Sequence, residues 1–316
     1  VEGWTNVGIV QGMSDSEGTA AHVVNNDVDV TGTPVAHGNS IQVTGDHSAV
    51  VGNDVEVTGY ASDEPNWATS GILAEGVNET LIADNHVTYV DTSDVSDYYR
   101  GITVEGTPSF DGPAADNIVR NNTVVGLSTA ISVQMNVTNT TITENTVTES
   151  DVGLAVRRYQ TRGENNLVDD IAPTDVILED NSFENNGVQV DDPVDAIALA
   201  GALDTNEFDR AVVVDRPGNS LLSTVWSSVQ DGVDNAKEGD TVTVHEGTYE
   251  ESVTIATEGI TLEGVNDPTI VGDGVGEGSR PHAALHLDGS DGSPLTDVTV
   301  RGFTVRNPDG AYGIYA

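Results

Sequence analysis

Ile142-Thr143-Glu144-Asn145-Thr146-Val147 is the stretch whose reading decides the fold: an apolar residue, two variable residues, Asn, one variable residue, and a second apolar residue. The unit recurs along the chain. Val23 and Val28 flank Asn26, Val50 and Val55 flank Asn53, and Ile82 and Val87 flank Asn85. Val119 and Val124 flank Asn122, and Leu178 and Phe183 flank Asn181. Each copy is followed by a small residue and alternating apolar positions. These read Ser40-Ile41-Gln42-Val43, Gly71-Ile72-Leu73-Ala74, Gly101-Ile102-Thr103-Val104, Ala130-Ile131-Ser132-Val133, Gly153-Leu154-Ala155-Val156 and Ala196-Ile197-Ala198-Leu199. Alternation turns every second side chain inward, and Val and Ile suit a pleated surface. Asn suits the bend between two short strands, because it tolerates unusual backbone angles. Stacked turns would place Asn26, Asn53, Asn85, Asn122, Asn145 and Asn181 above one another as a ladder of amides. Their spacings are 27, 32, 37, 23 and 36 residues. The shortest is near one bare turn, and the longer ones predict loops at 56–70, 88–100, 105–117, 156–173 and 184–195.

This two-part repeat resembles the right-handed parallel β-helix proteins of the pectin-lyase-like superfamily, with their periplasmic copper-maturation-like and polysaccharide-lyase-like members. The resemblance covers nearly the whole chain and implies an all-β, right-handed parallel β-helix. It is specific for fold and carries over no site residues.

Composition sets the surroundings. The chain has 316 residues, 52 of them Asp or Glu against 11 Lys or Arg, for a net charge of -41; Lys237 is the sole lysine. No cationic surface is available to displace counterions from a phosphate backbone, so nucleic acid is excluded as a partner. An anionic membrane surface is disfavoured for the same reason. Hydrophobic residues nevertheless make up 37%, enough to bury a core. Self-repulsion of this size needs screening by salt, so a halophilic, archaeal, extracellular or cell-surface setting is expected. Cysteine is absent, which removes disulfides and thiolate chemistry. No apolar run is long enough to span a bilayer, so no membrane insertion is expected.

Three regions are expected. Residues 1–203 read as the C-terminal-type part of a β-helix, 204–220 as a linker, and 221–316 as the N-terminal-type part of a second β-helix. A capping helix is expected at about 223–238, with Ser223 as N-cap, Trp226, Val229 and Val233 on one face, and Gly239 at its end. Such a cap shields an open stack of strands from aggregation. Near the other end, Val300 to Val305 reads as a repeat core, and Gly313-Ile314-Tyr315-Ala316 as the element that leads onward. Val1-Glu2-Gly3-Trp4 through Val7 and Ile9 would continue it, with Ile9 in the place of Ile82. The expectation is a head-to-tail homopolymer, or a tandem array, in which residues 221–316 of one copy are completed by 1–209 of the next. The expected function is therefore that of an extracellular structural protein forming a filament or surface array.

Chemistry is sparse. Asn307-Pro308-Asp309-Gly310 and Ala36-His37-Gly38-Asn39 partly echo polygalacturonase-like motifs, but the paired Asp and the Arg-x-Lys motif are missing. No catalytic residue is assigned. A secreted polysaccharide-active or carbohydrate-binding β-helix, a lyase or glycoside hydrolase if an enzyme, is the rival reading. No cofactor is expected beyond calcium, for which Asp91, Asp94 and Asp97 in one loop are the candidates; Asp191, Asp192 and Asp195 form a second acidic loop. Sequons at Asn78, Asn121, Asn136 and Asn139 are candidate glycan acceptors. Tyr89, Tyr98 and Tyr99, with Trp67, form the densest aromatic group and could bind a glycan or a neighbouring subunit.

Overall fold

Thr and Val alternate along many of the short strands, and burial follows the alternation. Ile142 in Thr141–Thr143 and Val147 in Thr146–Thr148 are fully buried, while the threonines beside them reach the surface. The computed structural model describes residues 7–11, 20–29, 39–58, 69–90, 99–106, 114–158, 172–217, 223–272, 283–289, 295–310 and 312–316. The chain divides into two compact units: Val1–Asn186 with Val190–Glu207, and Gly187–Gln189 with Phe208–Ala316.

Unit 1 is built from three parallel sheets visited in the same order on every turn of the chain. The first holds Val7–Gln11, Asn39–Val43, Thr69–Glu75, Tyr99–Glu105, Thr129–Gln134 and Val152–Arg157, side by side in that order. The second holds His22–Val24, Ala49–Val51, Leu81–Ala83, Ile118–Arg120, Thr141–Thr143 and Ile177–Glu179. The third holds Asp27–Asp29, Asp54–Thr58, His86–Val90, Thr123–Val125, Thr146–Thr148 and Ser182–Glu184. Register stacks like on like: Ile41, Ile72, Ile102, Ile131 and Leu154 form one buried column. Nearly all-parallel sheets stacked in this way fit a β-helix-like solenoid. The small residue within the first-sheet strands has a steric cause at Gly71 and Gly101. A Cβ at Gly71 would sit 2.8 Å from Val57 and Val87, and one at Gly101 would sit 2.5 Å from the Ala130 carbonyl oxygen.

The bend between the second and third sheets differs from expectation in one respect. The left-handed residue is the one before each ladder Asn: Asn25, Gly52, Asp84, Asn121, Glu144 and Asp180 have φ of 55°, 68°, 58°, 50°, 58° and 56°. The ladder Asn is thus selected for its amide, and its neighbour absorbs the strain. The short helix Leu199–Thr205 occupies the chain position where earlier turns place a second-sheet strand.

Unit 2 opens with one strand that runs against its neighbours. Val212–Asp215 pairs antiparallel with Thr241–Val244, and Val212 pairs with Trp226 of Thr224–Trp226. Three turns follow, each with three parallel strands. Thr241–Val244, Thr261–Gly264 and Thr299–Arg301 form one sheet; Thr248–Glu250, Thr269–Val271 and Thr304–Arg306 a second. Val253–Ile255, Ala283–Leu287 and Tyr312–Tyr315 form the third. Its core contains Val212, Val214, Trp226, Val229, Val233, Tyr249 and Ile260.

Two expected boundaries move. The segment expected as a linker at 204–220 contains Val212–Asp215, whose Val212 and Val214 are fully buried, because three consecutive valines pair with the first turn of unit 2. The helix is shorter than 223–238: it spans Val229–Asn235, with Trp226 in the strand before it. Its N-cap is Ser228, which accepts from the Asp231 N–H, and Glu251 accepts from the N–H groups of Val229 and Gln230. These side chains satisfy the donors that a helix start leaves open. Two loops also contain strands: Ala114–Ala115 pairs with Val137–Thr138 inside 105–117, and Val188–Asp191 lies inside 184–195.

Candidate assembly surface and polar columns

The six predicted asparagines form one continuous column. The backbone N–H and the side-chain Nδ2 of each donate to Oδ1 of the next, from Asn26 through Asn53, Asn85, Asn122 and Asn145 to Asn181, at 2.9–3.0 Å. Asn53 to Asn181 also donate through Nδ2 to a carbonyl of the preceding turn, as Asn122 does to Ile82 at 3.0 Å. Asn206 is a seventh member that the repeat did not reveal, because a helix precedes it instead of an apolar strand. Its Oδ1 accepts from Asn181, and its Nδ2 donates to the carbonyls of Leu178 and Ala202, which ties the column to the end of helix Leu199–Thr205. Shorter columns were also unforeseen. Thr80 N–H donates to Asn117 Oδ1, Ala21 N–H to Ser48 Oγ, and Ser150 N–H to Asn186 Oδ1. Serine and threonine carry no periodic signal when every strand is rich in them.

The assembly residues differ sharply in setting. In unit 2, Ile270, Leu262 and Leu285 of the middle turn are fully buried. In the last turn Val300, Phe303 and Val305 are half-buried, and Tyr312, Ile314 and Tyr315 are 48%, 54% and 40% exposed. Gly313 and Ala316 are exposed as well. The outer edge of Thr299–Arg301, Thr304–Arg306 and Tyr312–Tyr315 therefore has no cover from the described residues. Tyr312 and Tyr315 lie with ring centroids 5.3 Å apart, and His286 lies 5.5 Å from Tyr315. Val1, Glu2, Gly3 and Trp4 fall outside the described residues. Val7 and Ile9 lie in Val7–Gln11, where Ile9 pairs with Ile41 in the first sheet.

That pairing corrects the position expected for Ile9. Ile9 does not take the place of Ile82, which belongs to the second sheet. In the last turn, Gly302 with φ of 83° begins the two-residue bend between Thr299–Arg301 and Thr304–Arg306, as Asp84 does between Leu81–Ala83 and His86–Val90.

Other candidates are settled locally. Asp91, Asp94 and Asp97 lie outside the described residues, as does His37. Among the described residues no group of three His, Asp or Glu is arranged to hold a metal. Asp191 is engaged by Arg157 at 2.9 Å, and Asp192 is buried, accepting from the N–H of Ile197 at 2.8 Å. Burial raises the pKa of Asp192, against the lowering by its backbone N–H partners. Asn307 donates to the carbonyl of Tyr312 and so pins a turn. Tyr89 and Tyr99 stack face to face, 4.1 Å between centroids and 7° between planes, which occupies one face of each ring. Tyr98 and Trp67 lie outside the described residues.

The sequons separate by geometry. Asn78 is half-buried, donates through Nδ2 to Asp46 at 3.1 Å and accepts from the Ala115 N–H at 2.9 Å. Asn121 and Asn139 are exposed at left-handed bends and donate to Asp84 and Asp116; Asn136 is half-buried. Mass spectrometry of native material is expected to find Asn78 without a glycan, since attachment would break both contacts. A glycan there would overturn this assignment.

No protein-family model matches the chain, and comparison with the curated proteins finds no match. Among the described residues no helix is long and apolar enough to cross a membrane.

Proposed function

We propose that this protein is a structural, extracellular or cell-surface solenoid, a right-handed parallel β-helix that assembles by adding β-coils at its uncovered edge, with a second copy of the chain as partner. The carrying observation is the last turn of unit 2, which exposes Tyr312, Ile314 and Tyr315 beside the half-buried Val300, Phe303 and Val305. Strand edges with apolar flanks are pairing templates, and native proteins blunt them unless a partner covers them. Capping supports the same reading. Unit 2 is sealed at its start by antiparallel Val212–Asp215 and helix Val229–Asn235, and the column of unit 1 closes on helix Leu199–Thr205. The charge of -41 lies against lateral aggregation, while axial pairing of backbones is little affected by it.

Sedimentation and electron microscopy in molar salt test the proposal. Wild type is expected to form ordered assemblies that grow with concentration, and Ile314→Asp to stay monomeric with an unchanged circular dichroism spectrum. Transfer to low salt is expected to dissolve or unfold the assemblies, because the Debye length lengthens to roughly 30 Å at 0.01 M. A monomer at every salt and concentration would sink the proposal. Depolymerisation of a uronic-acid polymer by that monomer would favour the polysaccharide-active reading instead.

A further inference from the structure

The first sheet of unit 1 carries a second column, at its outgoing edge, that no part of the assembly reading uses. Register places Glu75 beside Glu105, Glu105 beside Gln134, and Gln134 beside Arg157. Most of this column is complementary. Gln42 Nε2 donates to Glu75 Oε2 at 2.8 Å, Gln134 Nε2 donates to Glu105 Oε2 at 2.6 Å, and Arg157 pairs with Asp191 at 2.9 Å. The exception is the pairing of Glu75 with Glu105. The two residues sit in register on neighbouring strands, whose backbones lie roughly 4.8 Å apart along the stack, and each carboxylate is tied by a glutamine on its far side. Neither can turn away to relieve repulsion without giving up that bond.

We propose that Glu105 keeps a proton beside Glu75, so that adjacent coils of unit 1 are joined through the row Gln42, Glu75, Glu105 and Gln134 by a link that loosens as pH rises. The protonated Glu105 still accepts from Gln134 and presents no charge to Glu75. Deprotonation leaves two like charges in register, the arrangement that destabilises cross-strand pairs. The groups that face Glu105 are Glu75 from one neighbouring strand and Gln134 from the other, with Arg157 beyond it and Arg100 on its own strand. The pKa of Glu105 is raised above 4.5, by burial first and by the Glu75 charge, against lowering by the Gln134 bond and Arg100.

The sign follows from linkage. Above the ordinary carboxyl range the folded state keeps a proton that the unfolded chain has released. The contribution of Glu105 to stability therefore falls as pH rises from 4.5 towards its raised value, and is constant beyond it.

The test is thermal unfolding of the full chain between about pH 4 and about pH 8, for wild type, Glu105→Gln and Glu75→Gln, in chelator. Glutamine at 105 keeps an acceptor for Gln134 and presents no charge to Glu75 at any pH. Glu105→Gln is expected to match wild type at the acid end and to exceed it by about 2–4 °C at the upper end. Glu75→Gln removes the same repulsion and is expected to flatten the curve in the same way. Curves for both variants that run parallel to wild type would overturn the proposal, as would destabilisation of both at all pH values. Calcium that raises the wild-type Tm at the upper pH but leaves Glu105→Gln unmoved would also overturn it, in favour of a metal bridge.

Discussion

Asn122→Ala is expected to destabilise unit 1 by about 3–5 kcal/mol, counting about 1–3 kcal/mol for each buried polar group left unpaired. Asn122 is 1% exposed, and its amide is used in full. Nδ2 donates to Asn145 Oδ1 at 2.9 Å and to the carbonyls of Ile82 and Arg120 at 3.0 Å, while Oδ1 accepts from the N–H and Nδ2 of Asn85 at 3.0 and 2.9 Å. Alanine removes the acceptor that two Asn85 donors face and a donor that Asn145 requires. Water cannot easily replace them, because the turns above and below are in contact. Asn122→Asp should be no better: it restores the acceptor, removes the donors and puts a charge into a column of neutral amides. Asn26→Ala is the matched comparison. Asn26 is partly exposed and donates only to Asn53, so a loss of about 1 kcal/mol is expected there. Urea unfolding followed by circular dichroism measures both. Equal losses at the two positions would show that the column acts bond by bond at the surface and not as a buried spine.

Tyr249→Ala is the second large effect, expected to cost unit 2 about 3–5 kcal/mol as a large aromatic is removed from a closed core. Tyr249 is fully buried in Thr248–Glu250. Its hydroxyl accepts from the Ala211 N–H at 3.1 Å and lies 3.2 and 3.0 Å from the carbonyls of Ala211 and His245. It thus pins the segment entering antiparallel strand Val212–Asp215 to the first parallel turn. Tyr249→Phe separates the two roles. The ring stays, the Ala211 N–H loses its acceptor, and a loss of about 1–3 kcal/mol is expected. Burial raises the hydroxyl pKa, so the folded state should resist ionisation in base that would deprotonate an exposed tyrosine. Spectrophotometric titration of tyrosinate absorbance checks this. A Phe variant as stable as wild type would mean that solvent reaches Ala211.

The strands and the asparagine column were legible in the sequence because both rest on local chemistry. Alternating Val and Thr declares which face is inward, and a lone Asn at a fixed offset between apolar residues marks a position that stacks. Asn206 was not legible, since the ladder reaches it across helix Leu199–Thr205, where the apolar spacing changes. Val212–Asp215 was read as linker because three valines in a row show no alternation. Burial on both faces removes the polar half of the pattern, and Val212, Val213 and Val214 are all buried. The alignment of Ile9 with Ile82 failed for a related reason. Gly8-Ile9-Val10 carries both the small-residue element and an apolar core, and nothing short of strand pairing distinguishes the two.

By itself the sequence determined that this chain makes short, parallel-paired strands with an amide spine. Those properties need only a residue and its near neighbours. Tertiary structure decided which residues stand side by side, because repeat spacings of 23 to 37 residues leave the lateral partner uncountable along the chain. Glu75 pairs with Glu105, and Tyr312–Tyr315 is exposed among the described residues, only once backbone hydrogen bonds between turns have set the register.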